Sequence, residues 1–272
     1  MIDYHVHTAL CKHADGSMIQ YVESACEKGL SEICFLDHLT LHSSGSHLSM
    51  TPAELPFYFY SARALADQFK DRIKVKAGLE IDYDPAHAED IRKIIAPFDF
   101  DVLGGSVHFI ENVNLVSRYT DEDRALFGIE ESSRRYLEKL DTMISADIVD
   151  VVCHIDIFKK FGQRPGSWIE DQMNGILSKI KKKNLAVELN TSGLIHPAKE
   201  PYPAVNILRQ CYMLGIPITY GSDAHTPANV GRDIDTAREM LASVGYTTLA
   251  GFTRRKRYDV DLNSVEMPLS NN

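Results

Sequence analysis

The chain has 272 residues, 44% apolar and 25% charged, with a formal net charge of −9. That suits one large α/β domain with an ample core, and the acidic balance disfavours nucleic-acid binding, which usually uses a basic face. No apolar run of ~18 residues and no basic-then-apolar leader is found, so neither a membrane span nor a signal peptide is expected.

Strand-like apolar runs occur at about 2–6, 32–36, 73–81, 100–107, 148–153, 185–190 and 216–221. Helical stretches lie between them. Ser17 can cap a helix with Ile19, Val22, Ala25 and Cys26 on one face, which Gly29 would end. Further helices are expected over roughly 52–69, 87–95, 121–144, 167–183, 202–214 and 227–244. Seven strands alternating with helices imply parallel pairing and a closed or slightly distorted β/α barrel, with an open doubly wound sheet as the competing arrangement. No linker or internal repeat divides the chain, so residues 1–272 are read as one domain. The basic stretch from Phe252 to Tyr258 reads as a solvated terminal strand rather than a nucleic-acid signal.

The five cysteines are an odd number without a CxxC pair. Cys34 and Cys153 fall inside apolar strands, where a thiol acts as a small hydrophobe, a usage that fits a reducing cytoplasm. Cys11, between His7 and His13, is expected to be a buried small residue rather than a metal ligand.

The eleven histidines carry the chemistry, because most of them end an apolar run. In His5-Val6-His7 alternate strand residues share a face, so both imidazoles can reach one metal. Burying both without partners is costly. Asp3 shares that face and is expected to orient a histidine from behind. His13 follows in the next loop, and His38 ends the run Ile33-Cys34-Phe35-Leu36-Asp37. Glu80 interrupts a buried strand and needs a positive partner, which a bridge between two metals supplies. Asp82 is expected to face away from Glu80. His108 and His154 close two further runs, and Asp223-Ala224-His225 repeats the i,i+2 geometry.

Nine candidate metal ligands result: His5, His7, His13, His38, Glu80, His108, His154, Asp223 and His225. They exceed what one tetrahedral zinc needs and match two to three divalent ions. An imidazole-rich set with some carboxylate suits zinc, iron or manganese rather than magnesium or calcium.

These residues resemble the polymerase-and-histidinol-phosphatase (PHP) superfamily, with its N-terminal HxH, a DH after the second strand, a strand-borne Glu, later histidines and a terminal DxH. The resemblance runs from Asp3 to Gly231. It is nearest to the stand-alone histidinol-phosphate phosphatases in Cys11-Lys12-His13-Ala14, Gly105-Ser106-Val107-His108-Phe109, His154-Ile155-Asp156, Glu188-Leu189-Asn190-Thr191-Ser192-Gly193-Leu194 and Gly221-Ser222-Asp223-Ala224-His225. It implies a distorted (β/α)7 barrel with a trinuclear site at the C-terminal rim. By analogy, His5, His7, Glu80 and Asp223 hold one ion, Glu80, His108 and His154 a second, and His13, His38 and His225 a third.

The resemblance also implies a metal-dependent phosphomonoesterase acting on L-histidinol phosphate; another small phosphate ester or nucleotide is the alternative. No Ser or Cys nucleophile stands beside a His/Asp pair, so water activated by metal is the expected nucleophile. Lys160 would neutralise phosphoryl charge, and Asp223 or His225 would protonate the leaving oxygen. The resembling phosphatases place a basic residue after the Asn-Thr-Ser-Gly-Leu motif, where this chain reads Ile195-His196-Pro197-Ala198-Lys199. Substrate contacts are therefore expected from Lys160 together with His196 or Lys199, and from His42 in the Ser-rich loop Leu39–Thr51, a lid or a plain surface connection.

Overall fold

A computed structural model describes residues 1–117 and 128–262. Its organising element is a parallel sheet in the order β1 (Ile2–Val6), β2 (Glu32–Phe35), β4 (Lys74–Asp82), β5 (Val102–Ser106), β8 (Val151–Val152), β9 (Ala186–Asn190) and β10 (Ile218–Gly221). A short strand, β3 (His38–Thr40), continues beyond β2 and pairs His38 with Glu80 in register. Seven strands in sequence order, buried throughout except for Lys74 at the start of β4, curl into a nearly closed barrel. The distorted (β/α)7 arrangement expected above is the one found.

Closure is made by few bonds. Val6 bridges Ala224, the His7 amide donates to the Ala224 carbonyl at 2.9 Å, and the Ala224 amide donates to the His5 carbonyl at 3.3 Å. Asp3 secures this seam by accepting from the Ser222 amide (3.0 Å), the Ser222 hydroxyl (2.5 Å) and the Gly231 amide (2.8 Å). Its one bond to a histidine goes to the His5 backbone amide, so it does not orient an imidazole as expected. Its oxygens are taken by backbone donors that the loop after β10 would otherwise leave buried without partners.

The helices around the barrel are α1 (Met18–Glu27), α2 (Leu55–Gln68), α3 (Ala88–Ile95), α4 (Gly128–Ser145), α5 (Trp168–Lys182), α6 (Val205–Met213) and α7 (Ile234–Val244). In α1, Gln20 reaches back to accept from the Ser17 amide at 2.8 Å, a capping box, while Tyr21, Val22 and Ala25 are buried. Residues 121–127 of the expected helix 121–144 lie outside the described residues. The helix expected from 227 starts only at Ile234, because Gly231 and Asp233 adopt left-handed conformations that a helix cannot continue through.

The C-terminal hairpin, β11 (Thr248–Thr253) and β12 (Lys256–Asp261), covers the N-terminal end of the barrel. Tyr4 and Tyr258 both donate to Glu32, at 2.6 and 2.5 Å, and Arg255 pairs with Asp150 at 3.0 Å. The basic stretch is therefore a terminal strand, and its charge is matched to carboxylates at the strand starts. At the opposite end two short strands, β6 (Phe109–Ile110) and β7 (Val113–Asn114), pair antiparallel.

Candidate metal centre and the cavity above it

All nine predicted ligand side chains lie in one connected cluster at the C-terminal ends of the strands. Glu80, fully buried, is its hub. His38 Nδ1 lies 2.8 Å and His5 Nε2 3.3 Å from its Oε2, with His7 Nε2 at 3.9 Å. His154 Nε2 lies 2.9 Å and His108 Nε2 3.7 Å from its Oε1. Asp223 Oδ1 stands 3.0 Å from His7 Nε2, and the Nε2 atoms of His13 and His225 are 2.9 Å apart. His154 and Asp223 both have positive φ, at 26° and 55°. Strain of this kind in non-glycine residues concentrates at functional sites.

Carboxylates behind the imidazoles fix their orientation. Glu188 Oε1 is 2.6 Å from His5 Nδ1, and its Oε2 accepts from the His154 amide at 2.8 Å. Asp37 Oδ1 is 3.3 Å from His7 Nδ1 and accepts from the His38 amide at 2.9 Å. An Nδ1–H committed to a carboxylate fixes the ring so that Nε2 is aimed into the cluster, the arrangement of metal-binding histidines. Asp223 is braced by the Ser192 hydroxyl at 3.1 Å and the Asn190 amide at 3.4 Å. Sequence reasoning gave no role to Glu188 or Asp37. A charge inside a buried strand, the feature that marked Glu80, marks Glu188 as well.

The electrostatics agree with a site built for cations. Burial opposes ionisation of Glu80 and Asp223, yet the imidazoles around them hold both well below the usual carboxylate range. Burial likewise opposes protonation of His7, but Asp223 and Asp37 raise it to about 9. Burial and the neighbouring His38 lower His13 to about 4, and burial and His7 push His225 well down. His5 Nε2 and Glu80 Oε2 are buried and, despite their short approaches, make no well-directed hydrogen bond among the described residues. Triads such as His5–Glu80–His154, His5–His7–Asp223 and His7–His38–His225 keep their ligand atoms within 4.8 Å of one another. Imidazole nitrogens and ionised carboxylates converging on the same buried points fit divalent metal, which would take the place of the protons they now share. Cys11 is buried, as expected, and also falls within such a group with His13 and His225; burial pushes its thiol up.

Above the cluster lies a cavity of about 370 Å³. Lys160 and His196 line it, as do Asp82, Asn229 and Arg232, which sequence reasoning did not place there. Asp82 shares the face of Glu80, since residues two apart on a strand point the same way. Its Oδ1 accepts from the His108 amide at 2.9 Å, and burial raises its carboxyl to about 7. Lys199 is exposed and not part of the wall, because the chain turns away at its left-handed conformation. His42 stands behind the wall, stacked on Phe109 at 5.0 Å and accepting from the Ser44 amide. The loop carrying it is an ordered 3-10 segment, Ser43–Leu48, anchored by Ser49, whose hydroxyl accepts from the Thr40 amide. Lys159 is buried against Asp156 at 2.6 Å and Glu200 at 3.0 Å, so of the pair Lys159-Lys160 only Lys160 reaches the cavity.

The chain is 33% identical over 264 residues to a Deinococcus radiodurans protein named "Probable histidinol-phosphatase", covering 94% of this chain and 98% of that one. It is 30% identical to the histidinol-phosphatase of Lactococcus lactis, over 94% and 95% of the two chains. A crystal structure of histidinol phosphate phosphatase from the same organism, complexed with zinc, L-histidinol and phosphate, superimposes with a TM-score of 0.82 at 27% identity, covering 94% of this chain and 98% of that one. The PHP domain profile matches residues 3–192, which with these relatives shows that the chain belongs to the PHP family.

Proposed function

We propose that this protein is a metal-dependent phosphomonoesterase that hydrolyses L-histidinol phosphate to L-histidinol and phosphate, working as one domain over residues 1–272. The observation that carries the reading is the Glu80-centred cluster, in which five imidazoles converge on one buried carboxylate beneath a cavity of ligand size. The kinship with histidinol-phosphatases along almost the whole chain supports the choice of substrate.

Two to three divalent ions are proposed. His5, His7, Glu80 and Asp223 would hold one, Glu80, His108 and His154 another, and His13, His38 and His225 a third. Such ions supply a Lewis acid for the phosphoryl oxygens and activate water at neutral pH. Attack in line forms the new P–O bond as the bond to the alcohol oxygen breaks. Lys160, on the cavity wall, neutralises charge on the non-bridging oxygens. Asp223 or His225 is the group proposed to hand a proton to the leaving oxygen. Glu188 and Asp37 hold the His5 and His7 rings with Nε2 toward the cluster.

Stripping metal with a chelator, reloading with zinc, manganese or iron, and assaying phosphomonoesters against phosphodiesters tests this. The expected result is hydrolysis of histidinol phosphate that disappears on stripping, returns on loading and exceeds any diester activity. Full activity in stripped protein, or preference for a diester, overturns it.

A further inference from the structure

Among the described residues the cavity wall carries two lysine or arginine side chains, Lys160 from the loop after β8 and Arg232 from the loop after β10. Arg232 is placed with unusual firmness for a loop residue. Its carbonyl accepts from the Thr191 hydroxyl at 2.8 Å and the Tyr220 hydroxyl at 2.5 Å. The preceding Gly231 donates its amide to Asp3, and the Arg232 amide donates to the Asn229 carbonyl at 3.0 Å. Four bonds thus fix the backbone beside the seam that closes the barrel. The side chain is treated differently: among the described residues the guanidinium makes no hydrogen bond or ion pair.

A half-buried arginine on a cavity wall, with no carboxylate paired to it among the described residues and in a protein of net charge −9, is suited to an anion. Its planar fork matches two oxygens of a phosphate, which the point charge of Lys160 cannot do. We propose that Arg232 binds the phosphoryl group of the substrate and, after hydrolysis, the phosphate product, with Lys160 as the other protein cation on the same group. This rests on the phosphomonoesterase reading above. It assigns Arg232 to the part common to all phosphomonoesters rather than to the leaving alcohol.

The test uses the metal-loaded full chain with Arg232→Met, which keeps length and sheds charge, and Arg232→Lys, which keeps charge and loses the fork. Three quantities are read: kcat/KM for histidinol phosphate and for p-nitrophenyl phosphate, inorganic phosphate affinity by calorimetric titration, and bound metal by elemental analysis. Arg232→Met should lower kcat/KM for both esters and weaken phosphate binding by about ten- to a hundredfold, the loss expected for one charge-assisted contact. Metal content should stay at the wild-type level and Arg232→Lys should recover part of the loss. Loss with histidinol phosphate alone moves Arg232 to the alcohol. Unchanged phosphate affinity, or a fall in metal content that accounts for the loss, also overturns the proposal. Wild type that cleaves p-nitrophenyl phosphate but not histidinol phosphate would sink the substrate reading while leaving the role of Arg232 open to the same measurement.

Discussion

The Nε2 atoms of His13 and His225 face each other at 2.9 Å. The Nδ1 of His13 is 2.7 Å from the Cys11 carbonyl and the Nδ1 of His225 is 3.0 Å from the Asp223 carbonyl. A carbonyl only accepts, so both Nδ1 atoms carry the hydrogen and both Nε2 atoms are lone pairs. Neither ring relieves the contact by protonation, because burial and neighbouring imidazoles lower both. A shared cation turns this repulsion into coordination.

Metal should therefore stabilise the fold measurably. A ligand that binds only the native state, at a hundred times its Kd, contributes about 2.7 kcal/mol, or roughly 5–10 °C in Tm for a chain of this size. Thermal melts with and without chelator check this. His225→Ala should lose about one ion per chain by elemental analysis and part of the metal-dependent shift. A chelator-insensitive Tm with at most one ion bound after loading would exclude a multinuclear centre.

Glu188 and Gly221 test whether the supports behind the imidazoles matter. Glu188→Ala removes the acceptor of His5 Nδ1–H and of the His154 amide together. Metal affinity should fall by about ten- to a hundredfold, the usual cost of deleting such a partner. Gly221 reaches the same spot sterically, since a Cβ there would collide with the Glu188 carboxylate and come within 2.6 Å of the His5 Cβ. Gly221→Ala should show both a lower Tm and weaker metal binding, read by melting and by competition with a chromogenic chelator.

Glu80 and Asp82 now make a more exacting pair than the sequence suggested. Glu80→Gln should lower metal content and abolish turnover, because the hub loses its charge while five imidazoles remain around it. Asp82→Asn keeps an oxygen for the His108 amide and should retain metal, whereas Asp82→Ala frees that backbone and should weaken binding. Elemental analysis and kcat/KM for the three variants separate these outcomes. Equal, small effects would remove Glu80 from the centre.

Much of this was legible because the physics is local. His5 and His7 share a face by strand periodicity, and Glu80 stands out as a charge in an apolar run. Asp82 was misplaced only by failing to apply that same period. Glu188 was missed although it carries the same mark. What was not legible depends on folding. Lys159 and Lys160 are neighbours in sequence, and only the 3-10 turn Ile157–Lys159 separates them, burying the first and presenting the second. Arg232 sits in a loop without pattern, and only closure of the barrel between β1 and β10 brings it to the cavity. The late start of α7 follows from left-handed residues that nothing in the apolar spacing announces.

Lys160 and Lys199, both expected at substrate, and Lys159 beside the first occupy three different environments, and each makes its own prediction. Lys160 lines the cavity, so Lys160→Ala should cost about 1.5–3 kcal/mol of transition-state binding, roughly ten- to a hundredfold in kcat/KM, with metal content intact. Lys199 is exposed and off the wall, so Lys199→Ala should leave kcat/KM within about twofold of wild type, as surface changes usually do. Lys159 is 2% exposed and pairs with a buried Asp156. Removing it strands that carboxylate without its cation, a change worth about 3–5 kcal/mol in stability. Lys159→Ala should therefore melt well below wild type, and turnover at low temperature should suffer less than with Lys160→Ala. Steady-state kinetics and melting curves on the three variants read both axes at once. Hydrolysis lost in Lys199→Ala but kept in Lys160→Ala would show that the phosphate enters from the side of the Ile195–Lys199 loop instead.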